Sequence, residues 1–494
     1  MLLGNLLRAI PGVEILGVPR VPVTGVAFDS RKVSAGNIFV GIPGSKTNGS
    51  QFFKEALKCG AVALISEAEN GQYPGVVTIK VKDARKFLAQ AALVFYEDPS
   101  SRLELVGITG TNGKTTTAYL VDAIYRQSGL HSCLAGTSGM KIGDVWSPSE
   151  RTTPEAPDLM LFLHEASMRG CSHGVMEVSS HALALKRVFG LRFAAGAFTN
   201  LTPDHLDFHH DMESYFQAKR ILFTPEGENR TRTAVINTDD PYGRRLAAGT
   251  PCPVLSFGFE AGADVRALEC RLGSEGTDLI IGSPAGEMRL HSHLVGRPNA
   301  CNILTAAAIA LSLGTERESI IRGVESLEGV AGRMERVNAG QPFLVIVDYA
   351  HTPDALAKLL ETIGSLPHRK LTTVFGCGGD RDRSKRPVMG EIAARMSDRV
   401  IVTSDNPRSE DPLKILSEIE SGLRNGPAEY KMLQDRREAI AAALVEAGEG
   451  DAVVIAGKGH EAYQVIGKQV LPFDDCTVAR ELILQLLANR GIRN

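Results

Sequence analysis

Short apolar runs alternate with amphipathic stretches from one end of the chain to the other. The apolar runs of the first hundred residues are VTGVAF, NIFVGI, AVALIS and GVVTIKV. Runs of this length, bounded by glycine, proline and polar residues, are typical of buried strands, whereas the intervening stretch SQFFKEALKCG has the periodicity of a helix. The pattern therefore predicts an α/β fold that starts within the first hundred residues.

The same alternation recurs twice more along the chain. The strands predicted next are LELVGIT, SHGVMEVSS, FAAGAFTNL and RTAVINTD, and those of the last third are FLVIVDYA, KLTTVFG, DRVIVTSD and DAVVIAG. A helix is predicted in NACNILTAAAIALSLG, which ends at the stop signal Gly314. Because 494 residues exceed what one hydrophobic core usually accommodates, we expect three consecutive α/β domains, over residues 1–98, 99–330 and 331–494.

Composition and charge narrow the classes of function. With 43% hydrophobic and 22% charged residues the chain can fold throughout, and a net charge of −3 argues against a broad surface for nucleic acid or anionic lipid. Polar residues and a proline interrupt the N-terminal stretch MLLGNLLRAIPGVEIL, and no later apolar run could span a bilayer. The eight cysteines form no C-x-x-C pair, which favours reduced thiols. We expect a cytoplasmic protein without membrane insertion.

The stretch GITGTNGKTTT, which starts at Gly107, has the parts of a phosphate-binding loop. It fails the strict pattern of glycine, four residues and Gly-Lys-Ser/Thr, because Ile108 stands where the first glycine belongs. A predicted strand nevertheless precedes it and an amphipathic helix follows it, and its glycines, Lys114 and Thr115 supply backbone N–H groups, a positive charge and a hydroxyl for Mg²⁺. The alternative is a surface turn with a helix-capping threonine; the mechanics of the motif favour an ATP site.

Four further polar residues, which lie at or after the ends of predicted strands or on the helix that follows, could complete a catalytic site. Glu177 and Ser179 end one predicted strand, His205 follows another, and Lys219 lies on the next helix. Taken singly, each fits a simpler interpretation, with loop-facing polar side chains and Lys219 on a solvated helix face. The phosphate loop by itself leaves the reaction open, since GTPases, kinases and ligases share it.

Several motifs together, in their order along the chain, resemble the Mur ligase family. They are TGTNGKTTT, EVSSHAL, NLTPDHLDFH, YFQAKRILF, PNACNILTAAA, GRMERV, VDYAHTPDAL, GCGGDRDRSKRP and TSDNPRSEDP. The resemblance implies a UDP-substrate-binding first domain, a central P-loop-type ATP-binding domain and a C-terminal Rossmann-like domain that binds the incoming amino acid. It also implies an ATP-dependent ligase that adds meso-diaminopimelate to UDP-N-acetylmuramoyl-L-alanyl-D-glutamate through an acyl phosphate, in peptidoglycan precursor synthesis, with Mg²⁺ and as a monomer.

The same resemblance assigns site residues. The catalytic residues it implies are Lys114, Glu177, His205 and Lys219. The ATP ligands it implies are Gly110, Thr111, Asn112, Gly113, Lys114, Thr115, Thr116, Asn299, Asn302, Arg333, Asp348, Tyr349 and His351. The implied ligands of the UDP substrate are Ser30, Thr152, Thr153, Ser179 and Arg187. Mg²⁺ would be held by Thr115, Glu177, His205 and Lys219, the lysine as a carbamate (N6-carboxylysine). Asn48 and Ser50 depart from the family pattern near the uridine segment, and the two threonines could instead cap the helix after Pro154.

The motif DNPR identifies the amino acid that the resemblance implies. A guanidinium can hold the distal carboxylate of diaminopimelate with two parallel hydrogen bonds, and a carboxylate suits its ammonium. The implied ligands are Arg381, Asp405, Asn406, Pro407, Arg408, Gly457 and Glu461. Since Arg381 replaces the last glycine of a G-x-G-x-x-G pattern in GCGGDRD, a dinucleotide cofactor is not expected. The alternatives are another ligase of the superfamily, such as folylpolyglutamate synthase, and a noncatalytic protein that senses ATP.

Overall fold

A computed structural model describes residues 1–10, 14–16, 20–44, 47–68 and 73–489. The chain divides into two compact units. The first comprises Met1–Arg266, Ser283–Gly286 and Leu304–Gly323, and the second comprises Ala267–Gly282, Glu287–Ile303 and Val324–Asn494. The division into three domains at residues 98 and 330 stays a prediction.

The N-terminal part of the first unit is a five-stranded sheet flanked by helices. Its elements are α1 (Leu3–Arg8), β1 (Glu14–Leu16), β2 (Gly25–Ala27), β3 (Asn37–Val40), α2 (Phe53–Lys58), β4 (Ala63–Ser66), β5 (Val77–Lys80) and α3 (Ala84–Phe95). The strand order is β1-β5-β4-β3-β2, with β1 antiparallel and the other strands parallel. The four strands predicted here are confirmed, and a 3₁₀ turn over Gly49–Phe52 precedes α2.

The central part of the first unit contains a larger, mostly parallel sheet. Its strands are β6 (Glu104–Thr109), β7 (Ser132–Gly136), β8 (Gly139–Ile142), β9 (Val145–Ser147), β10 (His173–Glu177), β11 (Arg192–Phe198), β12 (Arg230–Asn237) and β13 (Val254–Gly258). They lie in the order β13-β12-β11-β6-β10-β7-β8-β9, and only β8 and β9 of these run antiparallel to their neighbours. The helices are α4 (Lys114–Gln127), α5 (Ala156–Met168), α6 (Ser180–Ala184), α7 (Leu206–His209), α8 (Met212–Arg220) and α9 (Pro241–Gly249).

The strands and helices that follow are shared between the two units. They are β14 (Val265–Leu272), β15 (Thr277–Ser283), β16 (Gly286–Ser292), α10 (Arg297–Ser312) and α11 (Arg317–Glu325). β14, β15 and β16 are neighbours in that order. Helix α10 confirms the predicted alanine-rich helix, which ends two residues before Gly314.

The C-terminal part of the second unit is a six-stranded sheet with helices on both faces. Its elements are β17 (Glu335–Arg336), β18 (Leu344–Asp348), α12 (Pro353–Gly364), β19 (Leu371–Phe375), α13 (Lys385–Met396), β20 (Arg399–Val402), α14 (Pro412–Leu423), β21 (Glu429–Met432), α15 (Arg436–Glu446), β22 (Ala452–Ala456), β23 (Tyr463–Ile466), β24 (Gln469–Pro472) and α16 (Asp475–Asn489). The order is β17-β18-β22-β19-β20-β21, parallel except for β17, while β23 and β24 form a separate hairpin.

Burial on both faces of this sheet explains its continuous apolar strands. Successive side chains of a strand point to opposite faces. Ile346 and Val454 belong to the core on one face, whereas Val347 and Ile455 belong to the core on the other. A parallel sheet covered by helices on both faces favours near-continuous apolar runs, which is the pattern read from the sequence, although β19 also buries Thr372 and Thr373. Among the described residues, no helix combines the length and apolarity needed to cross a bilayer.

A buried ion pair joins the last two helices of the second unit, α15 and α16, to each other. Arg436 of α15 and Asp475 of α16 are both fully buried, and the guanidinium donates two hydrogen bonds of 2.7 Å to the carboxylate. The same guanidinium donates to the carbonyl oxygens of Ser404 and Ala456, at 3.3 and 3.1 Å. These carbonyls lie at or just beyond the ends of β20 and β22, so the pair holds the carboxyl edge of the sheet.

We expect Asp475→Asn to destabilise the second unit by about 3–5 kcal/mol, because it leaves a buried guanidinium without its counter-charge. Urea unfolding followed by circular dichroism measures the loss. The matched control is Glu481→Gln, which removes the exposed partner of Arg437 and should cost less than about 1 kcal/mol. Equal small effects of both substitutions would contradict the role given to the buried pair.

Candidate active site

The phosphate loop lies between β6 and α4 in the geometry its composition predicts. Gly110 and Gly113 have φ angles of 151° and 87°, a region that side chains rarely adopt. A Cβ atom on Gly110 would lie 1.9 Å from the Thr199 hydroxyl, so glycine is also required for space. Lys114 Nζ donates to the carbonyl oxygens of Gly110 and Thr111, at 3.0 and 2.9 Å. The loop thus holds a lysine at the N-terminus of a helix, where anions bind favourably.

Glu177 ends β10 and meets Thr115 as predicted. Its buried carboxylate accepts hydrogen bonds from the Thr115 hydroxyl, 3.0 Å from each oxygen. It also accepts from the backbone N–H of Thr137 at 2.8 Å and from the Thr137 hydroxyl at 3.2 Å. No sequence motif pointed to Thr137, which reaches the site because β7 is the neighbour of β10.

Lys219 is buried beneath the phosphate loop, so the interpretation as a solvated helix face is wrong. Its amine donates to the carbonyl of Gly110 at 2.7 Å and lies 4.5 Å from the centre of the Tyr215 ring. Burial lowers the pKa of Lys219 well below its ordinary value, and the charge of Lys114 lowers it further, while Asp204 opposes the shift. A neutral amine is therefore favoured at this position.

His205 lies in a cluster of aromatic and imidazole rings. It stands before α7 with a φ of 53°, and its ring packs edge-on against His181 and Tyr215, with centroids 4.8 and 6.2 Å apart. Burial lowers the pKa of His205, and it lowers those of His181 and His209 to about 4. All three imidazoles are therefore neutral near pH 7, the form in which they can coordinate metal ions.

The four residues predicted to bind Mg²⁺ fall into two pairs. Thr115 contacts Glu177, whereas His205 and Lys219 both pack against Tyr215. In the described part of the chain, no group of three or more His, Cys, Asp or Glu side chains is arranged to hold a metal ion. The magnesium site stays a prediction, with Thr115 and Glu177 as its assembled half.

The residues predicted to hold the UDP substrate lie along and behind a large cavity of the first unit. This cavity has a volume of about 1530 Å³, and both Ser30 and Arg187 line it. The Ser30 hydroxyl donates to Glu55 at 2.8 Å, and Arg187 donates to the carbonyl of Thr153 at 3.1 Å. A volume of this size accommodates a ligand larger than a typical drug-sized molecule.

The predicted threonine ligands, Thr152 and Thr153, contact residues next to the phosphate loop. Thr153 is fully buried, donates to the Glu177 carbonyl at 2.9 Å and accepts from the Ser179 N–H at 3.0 Å. The Thr152 hydroxyl lies 3.1 Å from that of Thr137, within hydrogen-bond distance. Neither threonine caps α5, which has Glu155 at its N-cap position, so that alternative is wrong.

The two departures from the family pattern, Asn48 and Ser50, bond to each other. The Asn48 side-chain oxygen accepts from the N–H of Ser50 at 3.1 Å and from its hydroxyl at 3.0 Å. Asn48 thereby caps the 3₁₀ turn that precedes α2. Asn48 and Ser50 thus form a well-defined turn in this segment.

The predicted ATP ligands of the second unit form two local groups, Asn299 with Asn302 and Arg333 with residues 348–351. Asn302 donates to the Asn299 side-chain oxygen at 3.1 Å, which confirms that they share one helix face. The Arg333 guanidinium lies 5.0 Å from the centre of the Tyr349 ring. Burial raises the pKa of Asp348, although Arg333 and the N–H groups of Met334 and Ala350 oppose the shift. His351 follows, with its Nδ1 2.8 Å from the Tyr349 carbonyl.

The predicted amino-acid site lies at the carboxyl edge of the C-terminal sheet. The motif DNPR follows β20, and the motif GKGHE follows β22. Asn406 joins the two by donating to Glu461 at 2.8 Å. Arg408 has a φ of 52° and donates to the Gly379 carbonyl at 2.7 Å, and its N–H donates to Val465 of the hairpin at 3.0 Å.

The remaining predicted ligands surround this pair of motifs. Asp405 is buried, which raises its pKa, and the positive charges of Arg436 and Lys458 oppose the shift. Gly457 has a φ of 116° and lies against Asp405. Arg381 is exposed and donates only to the Asp380 carbonyl in the described part of the chain, at 3.2 Å.

Lys458 is a residue of this site that the sequence interpretation missed. It is fully buried, and its amine donates to the Tyr463 carbonyl at 2.5 Å and to Glu461 and Asn406 at 3.4 Å each. It therefore ties the DNPR motif, the GKGHE motif and the hairpin together. Its place inside GKGHE was visible in the sequence, but its burial was not.

Three family models match consecutive parts of the chain. The model of the Mur ligase family catalytic domain matches residues 22–96, that of the Mur ligase middle domain matches 108–310, and that of the Mur ligase glutamate ligase domain matches 332–459.

Curated relatives match nearly the whole chain. A UDP-N-acetylmuramoyl-L-alanyl-D-glutamate–2,6-diaminopimelate ligase from Solibacter usitatus is 47% identical over 461 residues, 93% of each chain. A ligase of the same name from Gloeobacter violaceus is 46% identical over 479 residues, 97% of each chain.

Solved structures agree with these matches. The structure of a ligase of that name covers 98% of this chain and 99% of its own, with a TM-score of 0.71 at 33% identity. A MurF ligase from Thermotoga maritima in complex with ADP covers 94% of this chain and 98% of its own, with a TM-score of 0.62, and at 20% identity it shares the fold.

The neutral histidines predict a loss of stability in acid. Because the folded-state pKa values of His181 and His209 are about 4, against about 6.5 when unfolded, the unfolded chain binds more protons between these values. Stability therefore falls as pH drops from 6.5 toward 4. The double substitution His181→Gln, His209→Gln should reduce the loss between pH 7 and pH 4.5 by about 2–5 kcal/mol, since each shift alone corresponds to roughly 2 kcal/mol over this range.

Urea unfolding at the two pH values measures this difference. His131→Gln, at an exposed position, is the control and should leave the loss unchanged. An unchanged loss in the double variant would refute the assignment of neutral imidazoles.

Proposed function

This chain belongs to the Mur ligase family, and we propose that it is an ATP-dependent ligase that adds meso-diaminopimelate to UDP-N-acetylmuramoyl-L-alanyl-D-glutamate. The observation that carries the proposal is the contact between DNPR and GKGHE at one sheet edge, in a chain 47% identical to a ligase of that name. The reaction would form an amide and release ADP and phosphate, within cytoplasmic synthesis of the peptidoglycan precursor. We propose that the protein acts as a monomer.

The first unit would activate the substrate carboxylate. A carboxylate is a poor electrophile, so transfer of the ATP γ-phosphoryl group to it gives an acyl phosphate that an amine can attack. The approach of a carboxylate to a triphosphate opposes like charges, which cationic groups must offset. Lys114 and the N-terminus of α4 supply positive potential at the end of β6.

The residues near the loop suit a magnesium ion. The Thr115 hydroxyl and the Glu177 carboxylate are hard oxygen donors of the kind Mg²⁺ prefers, and Mg²⁺ bound there would neutralise phosphate charge. Lys219 would add an anionic oxygen if its amine reacted with CO₂ to form a carbamate. Its burial favours the neutral amine that this reaction requires. His205, also neutral, would be a further ligand.

The second unit would select the incoming amino acid. Arg408 would hold the distal carboxylate of diaminopimelate, and Glu461 would hold the distal ammonium. Hydrogen bonds from Lys458 and Asn406 position the Glu461 carboxylate. L-Lysine has no distal carboxylate, so it would leave the guanidinium unpaired. A site built to bind a charged group discriminates strongly against an analogue that lacks it.

The activity is tested by ATP-dependent phosphate release with the UDP-muramoyl dipeptide and Mg²⁺. We expect release, and a product of the mass of the tripeptide, with meso-diaminopimelate, and neither with L-lysine or without an amine. Turnover with lysine in preference would contradict the specificity, and absence of turnover with every amine would contradict the ligase assignment.

Arg408→Ala should lower kcat/KM for diaminopimelate by roughly 10- to 150-fold, the value of one charge-assisted contact. The loss should appear mainly in the KM for the amino acid and leave the KM for ATP unchanged. Arg424→Ala, which removes an exposed arginine paired with Glu420 on α14, is the control. A loss no larger than that of the control would remove Arg408 from the site.

Lys219 should carry a carbamate in bicarbonate-containing buffer. Addition of ¹³C-bicarbonate should give a carbamate resonance in the ¹³C NMR spectrum of the unsubstituted protein, absent in Lys219→Met. Lys86→Met, which removes a partly exposed lysine, should keep the resonance. A spectrum identical in all three proteins would show that Lys219 is not modified.

A further inference from the structure

Two arginines share one carboxylate on the wall of the large cavity of the first unit. The Glu155 carboxylate lies 2.9 Å from Arg187 Nε and 3.6 Å from Arg85 Nη1. The side chains of Glu155, Arg187 and Arg85 are only 6%, 7% and 16% exposed, so solvent screens this trio weakly. We refer to Arg85, Glu155 and Arg187 as the arginine pair with its carboxylate.

This arrangement carries a surplus positive charge. Arg85 Nη1 is buried and has no hydrogen-bond partner among the described residues, while its Nη2 donates to the Pro43 carbonyl at 2.9 Å. Burial lowers the pKa of Arg187, and although Glu155 opposes the shift, the charges of Arg151 and Arg85 lower it further. A buried guanidinium N–H group without an acceptor is costly. An anion in the cavity would supply both the acceptor and the missing charge.

The position of Arg85 indicates which anion this is. Arg85 lies in the first turn of α3, and its bond to Pro43 joins it to the loop after β3, which lines the same cavity as Ser30. Arg85 also contacts Glu155, which is the partner of Arg187. In the proposed substrate, the diphosphate lies between the uridine and the muramoyl dipeptide. Arg85 is likewise linked to both parts of the cavity lining, since it bonds to the loop after β3 and shares a carboxylate with Arg187.

We propose that Arg85 binds the diphosphate of the UDP-linked substrate and that Glu155 is the positioning residue that holds Arg85 and Arg187 toward the cavity. The proposal rests on the proposed function for the identity of the substrate. A guanidinium suits this role, since its planar N–H groups match phosphate oxygens.

Calorimetric titration of the full-length protein with UDP alone tests the assignment. Arg85→Gln should weaken UDP binding roughly 10- to 100-fold, the value of a charge-assisted hydrogen bond. Arg85→Lys keeps a charge without the planar donors, so its affinity for UDP should lie between those of the unsubstituted protein and Arg85→Gln. The control is Arg169→Gln, at an arginine that also lines the cavity but is 55% exposed and paired only with Glu165 among the described residues. It should bind UDP as the unsubstituted protein does.

Glu155→Gln tests the positioning role. It should weaken UDP binding by less than Arg85→Gln does, since both guanidiniums remain. The double variant Arg85→Gln, Glu155→Gln should bind UDP no more weakly than Arg85→Gln alone, because Glu155 acts through Arg85. Thermal unfolding of each variant shows whether the fold is kept, and Arg85→Lys supplies the test if Arg85→Gln does not fold.

UDP binding unchanged in Arg85→Gln would overturn the proposal. So would a loss seen with the UDP-muramoyl dipeptide but not with UDP, because Arg85 would then bind a peptide carboxylate. Both results differ from failure of the proposed function, which would appear as absent turnover in the unsubstituted protein.

Discussion

Two lysine amines converge on one carbonyl oxygen, and the site of the first unit is organised around this contact. Lys219 and Lys114 donate to the Gly110 carbonyl at 2.7 and 3.0 Å, so their nitrogens are at most about 6 Å apart. Two positive charges at that distance repel by roughly 3 kcal/mol at an effective dielectric constant of 20. Because Lys219 is the more deeply buried, it is the amine that gives up its proton. Burial, reinforced by the charge of Lys114, therefore favours a neutral Lys219 beneath the phosphate loop.

Buried positive charges also organise the carboxyl edge of the C-terminal sheet. Buried Lys458 lies among oxygens of Glu461, Asn406 and Tyr463, and buried Arg436 is paired with Asp475 while it binds carbonyls near the ends of β20 and β22. Several of these acceptors, namely Asn406, Glu461 and the carbonyl of Ser404, belong to segments that follow parallel strands. The carboxyl ends of parallel strands are where such sheets bind ligands, and buried ion pairs fix the loops that form there.

Much of this architecture could be predicted from the sequence. Apolar runs predicted the buried strands, because a parallel sheet covered on both faces is apolar at nearly every position, and the glycines and Lys114 predicted the phosphate loop despite its irregular spacing. Thr137 and Glu155 could not be predicted. Thr137 meets Glu177 across 40 residues of sequence because β7 lies beside β10, and Glu155 meets Arg85 because α3 packs against α5. Such contacts depend on strand order and helix packing, which residue spacing does not encode.

The protonation state of Lys219 is the most direct test of this account. In carbonate-free buffer, protein labelled with ¹³C-lysine can be titrated by NMR, with the Lys219 resonance assigned by its loss in Lys219→Met. We expect its midpoint to lie clearly below those of the exposed lysines, and to rise toward them when Lys114→Met removes the neighbouring charge. A midpoint equal to those of the exposed lysines would mean that both amines are charged on the same carbonyl, and the account of the site would be wrong.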